Sequence, residues 1–139
     1  GGLRGSGARR GVKFLLDTVT FLLAIDDETR VSDEARKYIE DPYEQVYLSS
    51  VSAWEIAIKH SLGRLDLPLP PDRLVPLARD RLGAEELPLT ESSALRVSRL
   101  PAIHADPFDR VLVAQAISMG MTILTPDEAV RQYPVPTIW

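Results

Sequence analysis

The sequence predicts an α/β domain: three layers, α/β/α, around a central parallel sheet of four to five strands. Two observations carry that expectation. Short apolar runs alternate along the chain with stretches of helical periodicity, the order of a parallel sheet covered on both faces. The first run, VKFLL (12–16), is apolar without polar alternation, as in a strand with no wet side. At 139 residues the chain fits one domain and can bury roughly two-thirds of its unfolded surface.

The elements follow in order. VKFLL ends at Asp17, and Thr18 is read as the cap of a short helix, TFLLAI. Ser32 caps a helix over 32–40 that Asp41-Pro42 stops. QVYLSS (45–50) is the second strand. SAWEIAIKHSLGRL (52–65) has the best helical pattern, with Trp54, Ile58, Ser61, Leu62 and Leu65 on one stripe and Gly63 loosening its end. The proline-rich DLPLPPD is an extended loop, and PDRLVPLARDRLG (71–83) is a helix with Asp72 near its start. AEELPL (84–89) is the third strand, and Thr90 opens a helix carrying Leu95, Val97 and Leu100. A helix over 107–119 stops at Gly120, MTILT (121–125) is the fourth strand, PDEAVRQ (126–132) a short helix, and VPTIW (135–139) a last strand.

The first eleven residues, GGLRGSGARRG, are glycine-rich and basic and are expected to form a disordered leader or expression remnant, leaving 12–139 as the domain. The chain carries 16 basic and 20 acidic residues, a net charge of −4, and setting aside Arg4, Arg9 and Arg10 makes it more negative still. That balance opposes a passive polyanion binder, which needs a basic face, but not an enzyme that reaches phosphates through metal ions. Cysteine is absent, which excludes disulfides, a thiol nucleophile and zinc-thiolate sites and fits a cytoplasmic protein. No apolar run approaches the ~20 residues that cross a bilayer.

Several carboxylates fall where strands end. Asp17 follows the first strand, Glu55 lies near the start of the helix after the second, and Asp127 follows MTILT by two residues. In an open parallel sheet these positions share the edge where ligands bind. Asp106 and Asp109 open a helix that is apolar nearly all round, so its first turn is expected against the sheet. Each acid has a structural reading. Asp106-Pro107 is an N-cap with an N1 proline, Asp109 suits the helix dipole, Ser52 to Glu55 matches a capping box, and Thr125-Pro126-Asp127 is another helix start. Asp17 is hardest to explain that way, because an acid behind a buried strand must find a partner. Acids converging on one edge repel each other and push their pKa values up, a conflict a divalent cation removes. An oxygen-rich set without cysteine suits Mg²⁺ or Mn²⁺, and the matching chemistry is phosphodiester hydrolysis.

KFLLDTVTFLLAI, SSVSAWEIAIKHSLGRLDLP, LPLTESSALRVSRLPAIHADPFDRVLVAQA and ILTPD together resemble the PIN-domain ribonucleases of the VapC toxin family, across residues 12–139. The resemblance implies a PIN-like fold, cleavage of RNA (often tRNA or rRNA), inhibition by a cognate VapB antitoxin, and a homodimer. It implies that Asp17, Glu55, Asp109 and Asp127 are the metal-binding catalytic acids, the first three sharing one cation. Asp106 would support them or serve a second ion, and Thr18 would orient Asp17 through its hydroxyl. Many relatives carry a polar residue such as His or Asn two positions after the first aspartate; here it is Val19.

Arg110, Lys59 and Arg64 are weighed equally as RNA-phosphate contacts and as solvated helix charges. His104 is read as a hydrogen-bonded structural histidine, His60 as a surface residue, and Trp54 and Trp139 as packing or dimer residues. Two other functions stand beside the nuclease. One is a phosphotransferase with Asp17 as nucleophile, although Val19 breaks the D-x-D pattern such enzymes show. The other is a non-catalytic protein-binding domain whose acids are structural caps.

Overall fold

The computed structural model describes residues 12–139; the leader expected over 1–11 lies outside them. Five strands form one all-parallel sheet: β1 (Lys13–Leu16), β2 (Gln45–Ser49), β3 (Glu85–Leu87), β4 (Thr122–Leu124) and β5 (Thr137–Ile138), in the spatial order β3-β2-β1-β4-β5. The helices are α1 (Thr18–Asp26), α2 (Asp33–Glu40), α3 (Ser50–Ser61), α4 (Pro71–Arg81), α5 (Glu91–Arg96) and α6 (Pro107–Met119). The predicted three layers are present because β1 alternates within an apolar run. Phe14 and Leu16 join Val46, Leu48, Phe21, Ile56 and Val75 on one face. Leu15 points the other way and packs with Leu112, Val113, Ala116, Ile123 and Tyr133. No described helix is long and apolar enough to cross a membrane.

Strand order reverses at β1. The chain steps outward through β2 and β3, then returns to place β4 on the other side of β1. Such a reversal opens a crevice at the carboxyl ends of the two central strands. Asp17 leaves β1 there, and the turn after β4 leaves beside it: Asp17 N–H donates to the Leu124 carbonyl at 3.3 Å.

Local chemistry explains most boundaries. Ser32 caps α2, Thr90 caps α5 and Asp106 caps α6, each through its side chain to a first-turn N–H. Gly120 ends α6 at φ 66°, a left-handed conformation costly for other residues. Four expectations are corrected. The cap of α1 is Asp17 and not Thr18, since the Asp17 carboxylate accepts from Thr20 N–H. Helix α3 starts at Ser50 under a Ser49 cap and ends at Ser61, and Ser52 is a buried interior residue rather than a cap. Its buried face carries Val51, Ser52, Glu55 and Ile56, whereas Trp54, placed on the inner stripe by pattern, is exposed. Finally, 126–132 holds only a turn and a short 3₁₀ segment, Val130–Gln132.

Candidate metal centre

The site is built at the crevice from four separate segments. Asp17 is nearly inaccessible, and each of its oxygens has a donor: Thr20 N–H at 2.8 Å to Oδ1, and the Thr125 hydroxyl to Oδ2. The same acid thus caps α1 and ties β1 to the turn after β4. Burial pushes its carboxyl up, hydrogen bonds from Thr125 and Thr20 pull against that, and repulsion from Asp127 adds to the rise.

Glu55 is also buried, brought in by the inner face of α3. Thr18 Oγ1 donates to Glu55 Oε1 at 2.7 Å and lies 2.8 Å from Ser52 Oγ. The hydroxyl expected to orient Asp17 therefore serves Glu55 instead, because α1 turns Thr18 toward α3. The other Glu55 oxygen accepts from Lys59, one helical turn on. That hydrogen bond is the main reason the Lys59 ammonium titrates high; burial opposes it, and the charges of Glu55, Asp106 and Asp109 add to it. Lys59, itself partly exposed, is thus a counter-charge to Glu55, while Arg64 is exposed.

The opposite wall is the start of α6. Asp106 Oδ1 accepts from Phe108 N–H at 2.8 Å and Asp109 N–H at 3.4 Å. Asp109 points across the crevice with its side chain 16% exposed. Burial pushes its carboxyl up to about 7, and repulsion from Asp106, Asp17, Asp127 and Glu55 adds in that order. The raised values expected from like-charge crowding thus have burial as their first cause. Asp127 arrives from the turn after β4, where its Oδ1 accepts from Ala129 N–H at 2.8 Å.

All five predicted acids face one electrostatic centre, with Asp109 at its middle. Among the described residues, the ligand atoms that lie within 4.8 Å of one another belong to His104, Asp106 and Asp109. Asp17 and Glu55 do not join that group, because their oxygens are turned to Thr20, Thr125, Thr18 and Lys59. His104, read as structural, sits in the cluster: its Nε2 is 3.0 Å from Asp109 Oδ2 and 3.8 Å from Asp127 Oδ2. The signal was its place two residues before Asp106. Arg110, weighed as a phosphate contact, instead donates to the carbonyls of Pro101 and Val97 and to the Tyr133 hydroxyl.

The donor set fits a divalent cation. Five carboxylates converge beside the Lys59 ammonium, and burial, with their repulsion added, raises Asp109 to about 7. Such carboxylate oxygen donors suit Mg²⁺ or Mn²⁺. Val19, one turn away, is half exposed and lines an apolar groove with Leu22, Leu23, Leu67 and Leu74.

Comparison with known proteins agrees with this architecture. Residues 14–136 match the family model of the PIN domain. The chain is 40% identical over 55 residues to Ribonuclease VapC16 of Mycobacterium tuberculosis, a stretch covering 40% of this chain and 39% of that relative. The structure of VapBC2 from Rickettsia felis, bound to a DNA fragment from their promoter, superposes with a TM-score of 0.68 at 12% identity, covering 91% of this chain and 98% of that one. FitAcB from Neisseria gonorrhoeae superposes with a TM-score of 0.52 at 20% identity, over 91% and 96% of the two chains. The family match spans nearly all the described residues and the solved structures share the fold, so the chain belongs to the PIN domain family.

Proposed function

We propose that this chain is a VapC-type toxin, an endoribonuclease that hydrolyses phosphodiester bonds in RNA with Mg²⁺ or Mn²⁺ and is restrained by a VapB-like antitoxin in the cytoplasm. The observation that carries the reading is the meeting of five acids from four segments at the crevice of a PIN domain, with Asp109 raised to about 7 by burial and by the other four. An arrangement that disfavours its own charges is of use when a cation and an anionic substrate meet there. Asp17, Glu55 and Asp109 would hold the metal, with Asp106 and Asp127 in support. Once bound, a divalent ion lowers the pKa of water and neutralises charge gathering on phosphate oxygens. The protein's part is orientation. Thr20 and Thr125 fix Asp17, Thr18 and Lys59 fix Glu55, and the first turn of α6 fixes Asp109.

The partner assignments rest on likeness. The VapC16 match covers about two-fifths of that relative's length, and the Rickettsia structure is of a VapBC pair. An antitoxin partner and a homodimer are expected from the family likeness. The phosphotransferase alternative is not favoured, since Val19 stands where such enzymes carry the second acid of D-x-D. The test is antitoxin-free protein incubated with total RNA, with and without Mn²⁺ or Mg²⁺, beside Asp17→Asn. Metal-dependent cleavage lost in the variant is expected, and cleavage that survives both chelation and the substitution overturns the proposal. Sequencing the new ends reports the target.

A further inference from the structure

We propose that His104 is a positioning residue that gathers the carboxylates of Asp109 and Asp127, and that Tyr133 and Arg110 hold it in place. Neither acid has another side-chain donor among the described hydrogen bonds. Asp109 is met by Nε2 of His104 at 3.0 Å, and the same nitrogen lies 3.8 Å from Oδ2 of Asp127. Asp127 Oδ1 is occupied by Ala129 N–H, which leaves Oδ2 toward the histidine. Facing a carboxylate oxygen, Nε2 carries the hydrogen, and Nδ1 is left as the acceptor toward Asp106 N–H at 3.5 Å. One imidazole N–H thus faces two acids that arrive from α6 and from the turn after β4 and that repel each other.

The histidine does not reach this position by chance of a loose loop. Its backbone N–H donates to the Tyr133 hydroxyl at 3.0 Å, and that hydroxyl lies 3.4 Å from its backbone carbonyl. Arg110 Nη1 donates to the same hydroxyl at 3.1 Å and to Pro101 O at 2.8 Å, while Nη2 donates to Val97 O at 3.1 Å. The Tyr133 hydroxyl therefore accepts from His104 N–H and Arg110 and directs its own hydrogen to the His104 carbonyl. That is its full capacity, in a residue that is itself buried. Arg110, Tyr133 and His104 make a continuous brace from the loop after α5 to the carboxylates.

What this says of ion affinity rests on the metal-dependent reading above; what it says of geometry does not. The chain has two histidines, so ¹⁵N-histidine spectra of the metal-free protein are simple, with His60→Ala assigning the signals. An Nε2–H tautomer for His104, slow to exchange and absent as a protected signal in Asp109→Ala, is expected; an Nδ1–H tautomer overturns the proposal. Mn²⁺ titration by calorimetry then separates the two ideas. His104→Ala should weaken binding about 10- to 100-fold, the usual effect of removing a hydrogen bond to a ligand. His104→Gln, which keeps a donor, should recover most of it, and Tyr133→Phe should fall between, with His60→Ala unchanged. Binding that Asp17→Asn abolishes but His104→Ala leaves intact sinks the positioning role and spares the metal reading. A parent protein that binds no Mn²⁺ sinks the metal reading, and the spectrum alone then decides the role of His104.

Discussion

The two walls of the crevice are built on opposite principles. On one side, Asp17 and Glu55 are buried and satisfied: each oxygen meets a backbone N–H, a hydroxyl or an ammonium, and Asp17 doubles as a helix cap. On the other, Asp106, Asp109 and Asp127 are partly open to water, and Asp109 bears the repulsion of all the rest. The satisfied wall is therefore part of the fold's own support. The crowded wall carries electrostatic stress that only a proton or a cation relieves.

Activity gives the largest expected contrast, because there the walls should behave alike. Asp17→Asn and Asp109→Asn should each lower RNA cleavage by about 10³-fold or more, near 4 kcal/mol of barrier, read as initial rates with Mn²⁺. An Asp109→Asn protein that keeps parental rates would remove the crowded wall from the reaction. Second, adding Mg²⁺ or Mn²⁺ at about 100 times its dissociation constant should stabilise the parent by about 2.7 kcal/mol in thermal denaturation, and should do so little for either variant.

The third contrast separates the walls. Thr18→Val removes the hydroxyl between Glu55 and Ser52 and leaves buried polar atoms unpaired, so it should cost about 1–3 kcal/mol in denaturant unfolding. The smallest effect has the opposite sign. Asp109 titrates at about 7 in the fold against an ordinary 3.8. Between those values the native state binds more protons than the unfolded chain, so stability declines as pH rises through 7. Asp109→Asn, free of that penalty, should melt about 3–5 °C above the parent at pH 8, on the order of 1 kcal/mol, and the gap should close by pH 4. The shift is kept small because water reaches this wall and screens it.

The two walls also differed in how far the sequence revealed them. β1 and β2 were legible from their apolar runs, and Ser32, Thr90, Asp106 and Gly120 announced their helix ends by residue type. The meeting of Asp17, Glu55 and Asp127 followed from strand alternation alone. What stayed hidden was direction. Ser49, Ser50 and Ser52 offer similar capping chemistry, so the start of α3 was displaced and with it the choice of buried face. Thr18 was one residue from Asp17 in sequence but turned toward Glu55, a contact spanning 37 positions that no local pattern encodes. His104 is hydrogen-bonded as its sequence reading expects, but its partner Asp109 and the Tyr133 hydroxyl that Arg110 meets, 23 residues downstream, are set by the fold and not by local pattern.

The bond from the Thr125 hydroxyl to Asp17 joins positions 108 apart. During synthesis, Asp17 leaves the ribosome long before the segment that completes its surroundings. A nascent chain therefore holds no assembled acidic site until β4 inserts beside β1, so the site comes into being only when nearly all of the described chain has been made.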